Sequence, residues 1–253
     1  MEVAILAGGQ GRRLGVGPAA PIKALYPVAG KPLIWHVMQR FARYGYRDFC
    51  IALGHRGPEL VEGIDSYSDL WCGVGPELAL PQRWTVRTLH TGEQSTSGER
   101  IRQIAAYGSG PFMLAWCDGV ADIDLAALEE FHRASGCLVT VAAVHPPARF
   151  GHLLLDGGYV SAFYEKHQSM AGWINGGFFV VEPEILAYLG KSPGGWEQEI
   201  LPSLARDGQL AAFRHPGFWH CVDYPEDAVR LEALWRQQEP PWSQVESTEV
   251  QLP

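Results

Sequence analysis

The chain has 253 residues, 47% of them hydrophobic, which is enough to bury the core of one large α/β domain or of a domain with an appended lobe. Its formal net charge is −8 and no Lys/Arg run stands out, which argues against sequence-independent binding to nucleic acid or to an anionic membrane, since both need a basic face. The five cysteines are scattered with no C-x-x-C spacing, so neither a disulfide framework nor a zinc site is expected; with no signal peptide before the first strand and no apolar run of membrane-spanning length, the expectation is a cytoplasmic chain with reduced thiols.

In chain order, Glu2 to Leu6 is a short apolar run that stops at Gly8-Gly9 and reads as a buried strand entering a loop. Leu33, Ile34, Val37, Met38 and Phe41 recur at helical spacing between Pro32 and Tyr44, with Pro32 suited to the first turn and Gly45 to the stop. Phe49 to Leu53 reads as a second strand, so the first fifty residues form a crossover unit of a parallel sheet. Further strands are expected at Trp84 to Thr88, Phe112 to Trp116 and Leu138 to Val144, and a helix at Leu125 to Ala134. After Pro147 a hairpin (Leu153 to Leu155, a Gly157-Gly158 turn, Tyr159 to Tyr164) and a strand at Phe178 to Val181 suggest a smaller lobe packed on the parallel sheet. Helices are expected over Pro183 to Leu189, Trp196 to Ala205 and Pro225 to Arg236, and a loose tail beyond Gln238.

Three segments carry chemistry. Leu6-Ala7-Gly8-Gly9-Gln10-Gly11-Arg12-Arg13-Leu14 is a glycine-rich turn directly after the first strand, where backbone N–H groups can approach phosphate oxygens. Leu14 stands where a dinucleotide fingerprint needs glycine, and Gly30-Lys31-Pro32 lacks the Ser/Thr of a P-loop. A plain tight turn explains the glycines about as well as phosphate binding does; Arg13 tilts the reading toward phosphate. Lys23 lies on the connection from this loop to the first helix, where a point charge can neutralise a polyphosphate, although such a lysine read alone is a solvated surface residue. Asp118 follows the strand Phe112 to Trp116 and precedes Gly119, a placing that suits a hard cation, whereas Asp122 and Asp124 read as a helix N-terminus. No spacing argument joins Asp118 to Asp223.

Trp173-Ile174-Asn175-Gly176-Gly177-Phe178-Phe179, Gly217-Phe218-Trp219, Arg149-Phe150-Gly151, Glu165-Lys166, Trp196-Glu197-Gln198-Glu199 and Thr91-Gly92 with Gly98 and Arg100 are colinear matches from Val3 to Trp242. Together they resemble the bacterial glucose-1-phosphate cytidylyltransferases. The resemblance implies a three-layer α/β/α nucleotidyltransferase fold, Rossmann-like with a mixed, mostly parallel sheet and a small sugar-binding lobe. It implies one domain over residues 1–237, with a nucleotide half at about 1–145, a sugar-phosphate half at about 146–237, and a tail at 238–253. By position it puts Leu6, Ala7, Gly8, Gly9, Gln10, Gly11, Arg12 and Arg13 on the triphosphate, Lys23 on phosphate, and Ser95, Arg100 and Cys117 beside the nucleotide. Asp118 and Asp223 would hold Mg²⁺, Lys166 would meet the sugar phosphate, and Gly151, Glu165, Asn175 and Gly176 would line the sugar pocket. Arg13, Lys23 and Asp118 would be the catalytic residues. The implied partners are a nucleoside triphosphate, CTP first, and a sugar 1-phosphate, with neither nucleic acid nor membrane and with a homo-oligomer expected.

The chain also departs from that family. Arg12 stands for a threonine, Pro21, Ile22 and Ala24 for a lysine and two prolines around Lys23, Cys117 for a glycine, Glu99 for a glycine, and His167 for a proline. Glu99 is expected either to pair with Arg100 or to repel phosphate. Two other readings therefore stay open: the same chemistry with another nucleotide or another phosphorylated acceptor, and a binding protein without turnover. Retention of Lys23, Asp118, Lys166 and Asp223 together weighs against the last.

Overall fold

A computed structural model describes residues 1–15, 20–67, 72–73, 82–147, 151–165, 172–190, 194–237 and 240–243, except for the side chains of Arg12 and of residues 72–73 and 82–83. The main elements in chain order are β1 (Val3–Leu6), α1 (Leu33–Arg43), β2 (Asp48–Leu53), α2 (Gly57–Ser66), β3 (Thr85–His90), α3 (Ser97–Tyr107), β4 (Phe112–Trp116), β5 (Gly119–Ala121), α4 (Leu125–Ser135), β6 (Val139–Val144), β7 (His152–Asp156), β8 (Tyr159–Tyr164), β9 (Ile174–Val181), α5 (Leu201–Arg206), β10 (Leu210–His215), β11 (Trp219–Cys221) and α6 (Pro225–Trp235).

Among the described residues the central sheet has seven strands in the order β10-β6-β9-β4-β1-β2-β3. β9 runs antiparallel to both its neighbours, and the other pairings are parallel. Side chains alternate across each strand, so the sheet has two apolar faces. Val3, Ile5, Phe49, Ile51, Met113 and Phe178 pack with Ile34, Val37, Met38 and Phe41 of α1 and Leu125 and Leu128 of α4. Ala4, Leu114, Phe179 and Val181 pack on the other side with Ile101 and Ile104 of α3 and with Trp196, Ile200 and Leu204. This is the expected three-layer α/β/α arrangement. The apolar stripe of α1 decides its place: Leu33, Ile34, Val37 and Met38 are all 0% exposed, and each such side chain contributes about 1.5–3 kcal/mol by leaving water. Pro32 sits at the helix N-cap rather than inside the first turn, and Gly45 takes φ +89° just past the end.

Two expectations differ. The strand expected in the smaller lobe is eight residues long and belongs to the central sheet, where β9 slots between β6 and β4. Its apolar half, Phe178 to Val181, is buried on both faces, which only a central strand allows. The hairpin β7–β8 pairs only with itself, outside the central sheet. Second, residues 240–243 of the expected tail are held to the fold: Trp242 is 3% exposed and its indole N–H points at His36 Nδ1 (3.3 Å) beside Trp235 and Phe218. Among the described residues, no helix is long and apolar enough to cross a membrane.

Candidate active site

The chain reverses direction across the sheet at β1. From β1 it proceeds to β2 and β3 on one side, then returns to β4 on the other. The carboxyl ends of β1 and β4 therefore diverge into separate loops, and ligands bind in the crevice at such a switch point. A cleft of about 530 Å³ opens there, lined by Leu6, Ala7, Gly8, Gly9, Gln10 and Gly11 from the first loop and by Trp116, Cys117 and Asp118 from the end of β4. Arg13, Lys23, Asp223 and, from the loop before α3, Glu93, Gln94, Ser95, Ser97 and Arg100 complete most of the wall.

Asp118 and Asp223 meet through a short ladder that no sequence spacing reveals. β5 leaves directly after Asp118 and pairs antiparallel with β11, Cys221 opposite Gly119, and Val222 N–H donates to the Asp118 carbonyl at 2.9 Å. Trp219 Nε1 donates to the Gly176 carbonyl (2.7 Å), and Arg40, 2% exposed on α1, donates to the carbonyls of Asp122 and Ile123, which fixes the far end of the same ladder. The result is that Lys23 Nζ lies 2.6 Å from Asp118 Oδ2 and 2.7 Å from Asp223 Oδ1, while Arg13 Nη1 lies 2.6 Å from Asp223 Oδ2. Burial lowers the Lys23 pKa, but Asp118 and Asp223 together outweigh it, and the ammonium ends above its ordinary range. Burial pushes the Asp223 carboxyl up, Lys23 and then Arg13 pull it further down, and it ends below the usual carboxylate range. Both neighbouring thiols go the other way: burial first, and the carboxylates second, push Cys117 and Cys221 up to about 12. Such surroundings favour the neutral thiol over the thiolate.

The donor set fits a hard divalent cation. Two carboxylate oxygens from different segments converge on one point, marked by Lys23 Nζ. Among the described residues no third Asp, Glu, His or Cys joins them, so such an ion would complete its shell with phosphate and water oxygens.

The glycine loop is shaped from beneath by Arg100. This guanidinium is 6% exposed and donates to the Leu53 carbonyl (2.7 Å) and Thr91 Oγ1 (2.6 Å), with longer contacts to the carbonyls of Gly8 and Glu93. A Cβ on Gly8 would stand 2.5 Å from Arg100 Nη1, so only glycine lets the loop rest there. Gly11 takes φ +57° against the Lys23 stem and opens the one-turn helix Arg12–Leu14. Ser95 Oγ donates to the Thr91 carbonyl. The Glu99 charge acts on Arg100, opposing the burial that lowers the Arg100 pKa, but the Glu99 hydrogen bonds go elsewhere. Its carboxylate accepts from Thr96 N–H at 2.7 Å while Thr96 Oγ1 accepts from Glu99 N–H at 3.1 Å, a capping box that closes the N-terminus of α3.

Residues 3–172 match the MobA-like NTP transferase domain. A glucose-1-phosphate cytidylyltransferase of Salmonella typhi is 37% identical over 253 residues, covering 96% of this chain and 98% of its own. The chain belongs to the nucleotidyltransferase family. A mannose-1-phosphate guanyltransferase of Emericella nidulans is 28% identical over 93% of this chain and 64% of its own length. Among solved structures, HddC from Yersinia pseudotuberculosis superposes with a TM-score of 0.66 at 22% identity, over 92% of this chain and 99% of that one, which shows a shared fold.

Of the residues expected at the nucleotide, Leu6 to Gly11, Arg13, Lys23, Ser95, Arg100 and Cys117 line the cleft, and so do both aspartates expected at the metal. The sugar set is placed differently. Gly151 and Glu165 sit at the open end of the exposed hairpin, where a Cβ on Gly151 would meet the Phe163 ring. Asn175 Oδ1 accepts from Gly177 N–H (2.8 Å) beside an irregularity in the β6–β9 register, and the Gly176 carbonyl lies next to Gly119. None of these four is on the lining of the cleft. Lys166 and the side chain of Arg12 lie outside the described residues, as do Arg149, Phe150 and His167. The sequence reading gave no role to Trp116 or Glu197, which also line the cleft. Ser97 Oγ accepts from Trp196 N–H (2.8 Å) and lies 3.1 Å from Glu197 Oε2, so the first turn of α3 and the Trp196 segment form one wall of the cleft. Gly98 explains the contact, because any Cβ there would collide with the Gly194 carbonyl.

Proposed function

We propose that the chain condenses CTP with glucose 1-phosphate to give CDP-glucose and pyrophosphate, working in the cytoplasm with Mg²⁺. The observation that carries this is the convergence of Lys23, Arg13, Asp118 and Asp223 beside a glycine loop at the sheet's switch point. The choice of base and sugar is supported by the 37% identity to a cytidylyltransferase over nearly the whole chain, against 28% to a guanyltransferase.

The chemistry asks for little more. The sugar 1-phosphate is already an anion at neutral pH, so its oxygen attacks the α-phosphorus of CTP with no general base; that P–O bond forms as the bond to the β-phosphate breaks, and pyrophosphate leaves. Repulsion between anions and alignment for in-line displacement make the barrier. Bound Mg²⁺ supplies positive charge to the phosphate oxygens. In this proposal Asp118 and Asp223 hold the ion, and the amides of Leu6 to Gly11 with Arg12 and Arg13 cradle the triphosphate. Lys23 neutralises nucleotide phosphate and Lys166 the sugar phosphate, with Gly151, Glu165, Asn175 and Gly176 around the sugar. Ser95, Arg100 and Cys117 flank the nucleotide, and Arg100 acts from beneath the loop rather than by direct contact. One domain over 1–237 with halves meeting near residue 145 accommodates both substrates. A homo-oligomer is part of the same proposal, supported by the apolar hairpin in which Leu155 is 67% and Tyr159 82% exposed.

Specificity constants for CTP, UTP, dTTP, ATP and GTP with glucose 1-phosphate test the base. CTP is expected to exceed each of the others by at least about tenfold, the worth of one mispaired polar group. A purine preference would remove the cytidylyl assignment and leave the transferase class standing.

A further inference from the structure

We infer that Lys23 is the internal cation that assembles the Asp118–Asp223 pair, so that a divalent metal enters the pair only together with a nucleotide. This deepens the transferase reading and rests on it. The two carboxylates come from distant segments, are 23% and 17% exposed, and aim at one point; without a cation between them they repel. Lys23 Nζ sits at that point, within 2.7 Å of both, and Arg13 engages the remaining oxygen of Asp223 at 2.6 Å. Asp223 is therefore held by cations on both oxygens. The Lys23 backbone lies in the one-turn helix Lys23–Leu25 and its stem passes close to Gly11, so the ammonium is the part that can change partners.

A free divalent cation must displace an ammonium that is already paired twice, and among the described residues no third Asp, Glu, His or Cys gathers with the pair to help it. A triphosphate changes the exchange. Its anionic oxygens give Lys23 and Arg13 new partners and release the carboxylate oxygens to the metal that it carries. Nucleotide and metal then strengthen each other's binding, by the same factor in each direction. Lys23 acts here as a positioning residue for Asp118 and Asp223, in addition to its place on phosphate.

The test uses Mn²⁺ as probe on the full chain, with calorimetry and electron paramagnetic resonance of free Mn²⁺. Wild type is expected to bind Mn²⁺ alone at least tenfold more weakly than Lys23→Met, in which the stem remains and the charge is gone. The melting temperature of Lys23→Met should be lower than wild type and should rise on adding Mn²⁺, while wild type does not respond until CTP is present. Lys23→Arg should behave as wild type. A residue with only a packing role would give no Mn²⁺-dependent recovery. Wild type binding Mn²⁺ alone as tightly as Lys23→Met overturns the inference. If Lys23→Met does not fold, Arg13→Gln makes the same comparison with a smaller gain, since its side chain is 64% exposed. The underlying reading fails separately: it falls if wild type binds no CTP with or without Mn²⁺, a result independent of the order of affinities for the metal alone.

Discussion

Among single residues, Asp118 and Asp223 are two carboxylates whose charge matters more than their packing. Asp118→Asn keeps size and fold and removes one charge at the point where Lys23 Nζ sits 2.6 Å away. Turnover is expected to fall by at least about a hundredfold, the order seen when one preorganised charge-stabilising group is lost, while the melting temperature stays within a few degrees. Initial rates and a thermal melt on one preparation check both; full activity would contradict the assignment. The sequence made Asp118 legible, because it follows an apolar strand and precedes a glycine. It could not join Asp223 to it, because the link is a β-ladder between Gly119 and Cys221 and register between remote segments is not written in either one. Lys23 was ambiguous for the same reason: a lysine on a connection is surface or site according to what the far end of the chain brings to it. Glu99 was legible and went unread, since Thr96-Ser97-Gly98-Glu99 is the spacing of a capping box.

At the scale of elements, α2 and α3 are helices that the hydrophobic pattern did not announce, and α3 is the one that reaches the site. Its buried face is carried by Ile101, Ile104 and Ala105, while its first turn puts Ser97 and Arg100 on the cleft wall and Gly98 against the Gly194 carbonyl. The strength of its start lies in the cap. Thr96→Ala removes the hydroxyl that accepts from Glu99 N–H and should cost about 1 kcal/mol, or roughly 2–4 °C in a chain of this size. Because Ser97 and Arg100 lie on the first turn, the Michaelis constant for the nucleotide should rise more than that for the sugar phosphate. Differential scanning calorimetry and the two Michaelis constants separate these effects; unchanged values in both would show that the cap is idle. The direction of β9 was likewise out of reach. A run of apolar residues after a double glycine gives a strand, but whether it runs with or against its neighbours depends on the connection before it.

At the scale of the whole molecule, the seam between α1, α6 and the 240–243 segment makes stability depend on pH. His36 is 1% exposed, its Nε2 is 2.9 Å from the Val28 carbonyl, and its rings neighbours are Trp35, Trp235 and Trp242. Burial, more than the nearby Lys31 charge, lowers its pKa to about 4, with the Val28 contact opposing. The unfolded chain takes up that proton near pH 6.5 and the folded chain does not, so the contribution is complete above about 6.5 and is lost as pH falls toward about 4, by about 3 kcal/mol in all. Melts of wild type and His36→Phe across that range should show a steeper fall for wild type; parallel curves would remove His36 as the cause. The layered α/β architecture itself was readable from alternating strand and helix patterns, because each element's periodicity states which face it buries. What brings Asp223 to Asp118 was not, since it depends on the β5–β11 ladder and on side chains such as Trp219 and Arg40 that anchor it through backbone carbonyls. One cleft is proposed to join two phosphates, and phosphorus NMR of the wild-type protein with CTP, glucose 1-phosphate and Mg²⁺ follows both at once. A nucleotide-sugar diphosphate and pyrophosphate are expected to accumulate in equal amounts as both substrates disappear; release of inorganic phosphate, or CTP consumed with glucose 1-phosphate untouched, would rule the proposed reaction out.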